Sequence, residues 1–192
     1  MDIIALISTL SLVALAELAD KTQLATVTLS ARRSPISVLL GAMLAFAVVD
    51  GVSALLGGAI STYLPMSWIL IGSGLVFILF GLHGLISAKK EEDVEVKDRG
   101  FPLLTSFSLV ALMELGDKTQ FAVVALASQY DPVMVFLGMM LAFVLITGVG
   151  VVLGATLVKR LPTKYLRIGS SALFLLFGVA FLISAVSGIS LL

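Results

Sequence analysis

Apolar residues run along this chain in six long stretches, approximately Ile3 to Ala31, Ile36 to Ser61, Ser67 to Ala88, Phe101 to Ser128, Val133 to Val158 and Tyr165 to Val186. A membrane-spanning helix needs roughly 20 apolar residues, and each stretch supplies them. The breaks between them are Arg32-Arg33-Ser34-Pro35, Tyr63-Leu64-Pro65, a charged segment from Lys89 to Gly100, Asp131-Pro132 and Leu161-Pro162. Proline beside each short break fits helix ends, since it cannot continue the hydrogen-bond ladder. The strands of a membrane barrel would be about ten residues long with alternating polarity, and no such pattern occurs. The pattern therefore predicts an all-α integral membrane protein with six transmembrane helices. Asp2 stands where a signal peptide would be basic, and the apolar run after it is too long for one, so the first stretch reads as a membrane helix.

Composition sharpens the class. Of the 192 residues, 59% are hydrophobic and 12% charged, against about 45–50% and about 25% in a soluble domain. With mean hydropathy at +1.16, too little polar surface remains to cover a globule in water. A soluble enzyme and a disordered chain are excluded, and zero net charge argues against nucleic acid as a partner. The absence of cysteine removes disulfides, thiol catalysis and thiolate metal sites. No prosthetic group is expected. The lipid bilayer is the expected surrounding, and association into a homo-oligomer stays open.

The basic residues set the orientation. Arg32 and Arg33 lie in the first loop, Lys89, Lys90, Lys97 and Arg99 in the third, and Lys159, Arg160, Lys164 and Arg167 in or beside the fifth. The N-terminus, the second and fourth loops and the C-terminus have none. Basic loops stay cytoplasmic, which predicts a multi-pass protein of the cell (inner) membrane with both termini outside the cytoplasm. The other two basic residues, Lys21 and Lys118, lie inside apolar stretches.

Shifted by 97 positions, the chain overlays itself without a gap. Ser11-Leu-Val-Ala-Leu-Ala-Glu17-Leu-Ala-Asp20-Lys21-Thr22-Gln23 falls on Ser108-Leu-Val-Ala-Leu-Met-Glu114-Leu-Gly-Asp117-Lys118-Thr119-Gln120, with eleven of thirteen positions identical. Pro35, Gly41, Phe46, Gly51, Pro65 and Gly81 likewise fall on Pro132, Gly138, Phe143, Gly148, Pro162 and Gly178. The chain thus reads as a three-helix repeat at 1–88, a charged cytoplasmic linker at 89–100 and a second three-helix repeat at 101–192. Three spans per copy is an odd number, so the second copy enters from the opposite side. Inverted-topology repeats of this kind build several secondary transporter folds, with the binding site at the midplane between the copies.

In each copy a Glu-Leu-Ala/Gly-Asp-Lys-Thr-Gln motif interrupts an apolar helix near its middle. An Asp or Lys at that depth costs on the order of 2.5–3.5 kcal/mol, so these groups must face one another or a wet cavity. On a continuous helix, at about 100° per residue, Glu17, Asp20 and Lys21 share a wedge roughly 100° wide. Gln23 flanks the aspartate, while Thr22 points largely elsewhere. The same expectation holds for Glu114, Asp117, Lys118, Gln120 and Thr119. Four carboxylates and two ammonium groups sum to −2, which matches one divalent cation or two protons. Oxygen ligands suit Mg²⁺, Ca²⁺ and Mn²⁺, whereas Cu⁺ or Zn²⁺ would want Cys or several His. Acids crowded in a low-dielectric site bind protons as well as cations, and that competition is the physical basis of an antiporter. A bare neutralising pair between Glu and Lys at i and i+4 would account for the lysines but leaves both aspartates unexplained.

Other candidates carry less. Asp50 lies inside the second span, opposite Thr147 in the other copy, and an intramembrane carboxylate of this kind reads as an extra ligand or a proton carrier. His83 reads as interfacial rather than as a ligand. Met113 adjoins Glu114, but Ala16 replaces it in the first copy, and Met43 and Met140 read as packing. Gly41/Ala45 and Gly138/Ala142 form small-x-x-x-small faces for close helix contacts.

Two copies of Glu-φ-Gly-Asp-Lys/Arg-Thr/Ser, one in each half of a short six-helix chain, resemble the Gdt-one/transmembrane-protein-165 family, and the resemblance covers essentially the whole chain. It implies a Mn²⁺ or Ca²⁺ transporter coupled to protons, with Glu17, Asp20, Glu114 and Asp117 as ligands. Ala19 departs from the motif glycine that Gly116 keeps, which puts equal roles for the two copies in doubt. The expectation is therefore a secondary transporter, not an enzyme, exporting a divalent cation in exchange for protons. Gln23 and Gln120 would add amide oxygens. Thr22 and Thr119 would join only if the helix unwinds, and Lys21 and Lys118 would supply compensating charge. The rivals are an exporter of basic amino acids using the same acidic cavity and an intramembrane aspartyl protease built on two midplane aspartates.

Overall fold

The computed structural model describes residues 3–18, 20–87, 100–158 and 163–187. The acidic linker from 89 to 99, Ala19 and the Leu161-Pro162 break lie outside the described residues. All elements among the described residues are helices: α1 (Ile3–Glu17), α2 (Lys21–Ser30), α3 (Pro35–Tyr63), α4 (Met66–Ser87), α5 (Pro102–Glu114), α6 (Lys118–Ala127), α7 (Pro132–Val158) and α8 (Thr163–Ser187). Pro35, Pro102 and Pro132 each open a helix rather than lying in the loop before it. At that first position the missing N–H would have had no partner anyway.

Six apolar stretches thus become eight helices, because the first and fourth are each divided at the charged motif. Four helices, α3, α4, α7 and α8, are by themselves long and apolar enough to cross a membrane. The α1–α2 pair, bent by 71°, makes a fifth span if counted as one, while α5 and α6 are shorter apolar helices. Large apolar side chains such as Leu55, Leu79, Val152 and Val186 point outward, as they must in a protein solvated by lipid. Tyr63 and Trp68 are also exposed, on either side of Pro65, where amphipathic rings favour a membrane–water boundary.

Packing follows the internal repeat. The α3 helix lies along α5 and α6, α7 lies along α1 and α2, and α4 packs mainly on α8. Small residues allow these approaches. Gly41 abuts the Leu103 carbonyl and Ser106, and its counterpart Gly138 abuts the Leu6 carbonyl and Thr9, so a side chain at either position would collide with backbone. Ser106 also donates from Oγ to the Val38 carbonyl at 2.7 Å, joining α5 to α3.

Counterpart helices run antiparallel where they meet. Along α4 and α8, Gly74 faces Leu182 and Gly178, whereas Gly81 faces Leu175 and Ser171. Along α3 and α7, Phe46 stacks on its own counterpart Phe143 with centroids 3.6 Å apart, and Gly51 lies against Phe136. Phe77 likewise meets its counterpart Phe174, at 5.2 Å. Phe46 and Phe77 thus each touch the residue that the sequence overlay makes their counterpart.

Candidate cation site

Each charged motif sits at a helix break, and this corrects the expectation of a continuous helical face. The α1 helix ends at Glu17 and α2 begins at Lys21, with Asp20 as N-cap in extended backbone at φ −76° and ψ 167°. The second copy repeats the geometry: α5 ends at Glu114, α6 begins at Lys118, and Asp117 caps it at φ −77° and ψ 164°. Asp117 also accepts from the Thr119 N–H at 3.4 Å. Aspartate favours this position because its side chain answers N–H groups that the first turn leaves unpaired, and its charge suits the positive end of the helix. Gly116 takes φ +81° in the second break, a left-handed conformation that glycine adopts without steric cost.

The breaks bring three carboxylates together. One oxygen each from Glu17, Glu114 and Asp117 lies within 4.8 Å of the others. Both glutamates are fully buried. Glu17 Oε2 and both oxygens of Glu114 meet no donor in the structure. Asp20 joins this group through Lys118, whose Nζ stands 3.0 Å from Asp20 and 3.7 Å from Asp117. The second copy's lysine therefore bridges the aspartates of both copies. Lys21, its counterpart, is exposed.

The predicted polar flank is rearranged. Thr119, expected to point away, is buried and donates from Oγ1 to Glu17 Oε1 across the interface of the copies. Thr22 is buried in the mirrored place beside the Glu114 carboxyl. Helical spacing concealed both threonines because it assumes an unbroken helix. The signal that locates them is aspartate directly before Lys-Thr-Gln, an N-cap pattern, with Gly116 just ahead in one copy. Gln23 is buried and donates from Nε2 to Thr147 Oγ1 at 2.8 Å, leaving its own Oε1 unpartnered. Gln120 instead turns its Oε1 to the Gly116 N–H at 2.7 Å and braces the break, so that oxygen is already engaged.

The remaining candidates divide plainly. Asp50 on α3 is fully buried with neither oxygen paired. His83 is exposed, Met113 is half-buried, and Met43 and Met140 pack against the apolar core. The chemistry available is that of crowded carboxylate oxygens beside one fixed ammonium group, which is what a hard divalent cation requires. Asp20 and Asp117 both answer Lys118 rather than sharing a proton with each other, which is unlike an aspartyl protease dyad.

Comparisons with known proteins point the same way. The family model described as "Divalent cation/proton antiporter GDT1" matches residues 5–92 and 102–189. A Vibrio cholerae protein described as "Putative manganese exporter" is 33% identical over 174 residues, covering 88% of this chain and 85% of that protein. "GDT1-like protein 5" of Oryza sativa subsp. japonica is 27% identical over 93% of this chain and 94% of its own length. The Saccharomyces cerevisiae "Divalent cation/proton antiporter GDT1" is 23% identical over 91% of this chain and 82% of its own length. No solved structure matches the chain.

Proposed function

The chain belongs to the divalent cation/proton antiporter family GDT1, and on that basis we propose that it exports Mn²⁺ from the cytoplasm in exchange for protons, with Ca²⁺ as the next candidate. The family places it among multi-pass membrane transporters rather than enzymes. Glu17, Glu114 and Asp117 hold the cation, Asp20 joins them when Lys118 releases it, and protons occupy the same carboxylates on the return leg. Gln23 Oε1 and the two threonines complete the polar wall. The observation that carries this reading is the trio of carboxylates within 4.8 Å of one another, two of them fully buried. Such a cluster costs more than a fold recovers unless positive charge enters it. Hard oxygen donors suit Mn²⁺ and Ca²⁺ alike, and the relative described as "Putative manganese exporter" supports naming Mn²⁺ first.

We further propose six spans arranged as two inverted repeats, 1–88 and 101–192, joined by a cytoplasmic linker at 89–100, with α1–α2 and α5–α6 each forming one broken span. The antiparallel packing of α4 on α8 and of α3 on α7 supports this arrangement. Both termini then lie outside the cytoplasm, in a bacterial-type inner membrane. Rocking one repeat against the other would open the site to alternate sides.

The test is Mn²⁺ flux in proteoliposomes with and without a pH gradient, comparing Mn²⁺, Ca²⁺ and lysine as competitors. Mn²⁺ movement driven by a proton gradient, and lost in folded Asp20→Asn and Asp117→Asn variants, is the expected result. Undiminished flux in both variants removes the site, and lysine flux without cation flux would replace the function.

A further inference from the structure

The two copies differ at one charged position inside the bundle, and the difference falls at the cation site. Asp50 in α3 corresponds to Thr147 in α7. Thr147 is buried and provided for, since its hydroxyl accepts from Gln23 Nε2 at 2.8 Å. The exchange of copies would have Gln120 serve Asp50 in the same way, but Gln120 Oε1 is turned to the Gly116 N–H at 2.7 Å. Asp50 is left fully buried, with no donor to either oxygen.

A desolvated carboxylate without donors is among the costliest groups a fold can carry, and nothing in the packing recovers that cost. Its surroundings explain it. The Glu17 and Asp117 carboxylates act on Asp50, and among charged groups Asp50 is the one that Glu114 feels most. The side chain therefore lies within electrostatic reach of the unpartnered oxygens of Glu17 and Glu114. We propose that Asp50 is a further ligand of the transported cation, contributed by the first repeat alone. The site is then asymmetric, with a carboxylate from α3 on one side and the Gln23–Thr147 pair on the other. This assignment rests on reading Glu17, Glu114 and Asp117 as the cation site.

The experiment uses the full chain in lipid nanodiscs with Mn²⁺ as the probe. Affinity is read from the paramagnetic resonance of free Mn²⁺, and melting is followed with and without the ion. Asp50→Asn and Asp50→Thr, the latter carrying the residue that the second repeat uses, should each bind Mn²⁺ at least tenfold more weakly. Without Mn²⁺ both should melt higher than the parent, because a costly buried charge has gone, and the rise in melting temperature on adding Mn²⁺ should shrink. Parental Mn²⁺ affinity in both variants overturns the proposal. So does a lower melting point without Mn²⁺ combined with an unchanged Mn²⁺-induced rise, the signature of a structural residue. Glu114→Gln in parallel separates the two readings: if it also binds like the parent, the cation site itself is wrong, and if it alone is weakened, only the role of Asp50 fails.

Discussion

In the proposed cation site a single hydroxyl, that of Thr119, sets how Glu17 would meet the ion. It donates to Oε1 and leaves Oε2 unpartnered, so one lone-pair face of the carboxylate is held in place while the other stays available. A hydrogen bond to a charged group contributes about 1.5–3 kcal/mol. Thr119→Val should therefore weaken Mn²⁺ binding by roughly tenfold to a hundredfold, at 1.4 kcal/mol per factor of ten, while Thr119→Ser should retain it. Calorimetric titration of the two variants decides the matter, and equal affinities would remove the hydroxyl from the site. Lys118 acts in the opposite sense. Its ammonium group occupies Asp20 and Asp117, so in the proposed site an arriving cation would displace it. Lys118→Met should bind Mn²⁺ more tightly, by on the order of tenfold or 1.4 kcal/mol, yet exchange it more slowly, because nothing internal re-pairs the aspartates after release. Unchanged affinity and turnover would show that the bridge is incidental. The motif acids were legible in the sequence because charge in an apolar run cannot be decorative. The threonines were not, since their role depends on where the helix stops.

Among the elements, the helix breaks separate what pattern shows from what packing decides. Apolar runs located six helical stretches, but a period of 3.6 residues carries through a break as readily as through a turn, so the two breaks were not seen. Glu17 and Asp20 therefore read as one face, whereas in the structure Asp20 caps the next helix. One tertiary contact, Thr119 crossing to Glu17, and one local contact, Gln120 bracing Gly116, hold the two breaks. The Gly116 conformation gives a direct test. At φ +81° a β-carbon costs roughly 1–2 kcal/mol, although open space surrounds the position. Gly116→Ala should lower the melting temperature modestly and reduce flux, because the strain falls on the residue whose N–H holds Gln120. Wild-type flux and melting would show that the break tolerates either residue. The paired contacts of Gly41 and Gly138 were foreseen as small-residue faces, and a β-carbon at either position would collide with a backbone carbonyl. Gly41→Val and Gly138→Val should each cost about 1–3 kcal/mol through overpacking, whereas Gly72→Ala, with nothing within 4 Å, should be neutral. Thermal melting in detergent checks all three.

For the molecule as a whole, the duplication in sequence and the exchange of contacts in space are two views of one constraint. If three spans separate each residue from its counterpart, counterparts must lie on opposite sides of the membrane, and counterpart helices must meet antiparallel. The sequence makes the duplication plain through its ungapped overlay, but it cannot show which helices touch. The stacking of Phe46 on its counterpart Phe143 is the contact that supports an axis between the copies. The same constraint fixes a topology that labelling can read. Ile36 and Val133 are counterparts, both exposed at the start of their helices, and Thr62 is exposed at the other end of α3. Because the chain contains no cysteine, single cysteines at these positions report without background. An impermeant maleimide should label Ile36→Cys only from the cytoplasmic side, on the face where Arg32 and Arg33 hold the loop, and should label Thr62→Cys and Val133→Cys only from the outer side. Labelling of Ile36→Cys and Val133→Cys from the same side would mean that the copies are parallel. A shared axis in the membrane plane, and with it alternating access by rocking one copy against the other, would then fail together.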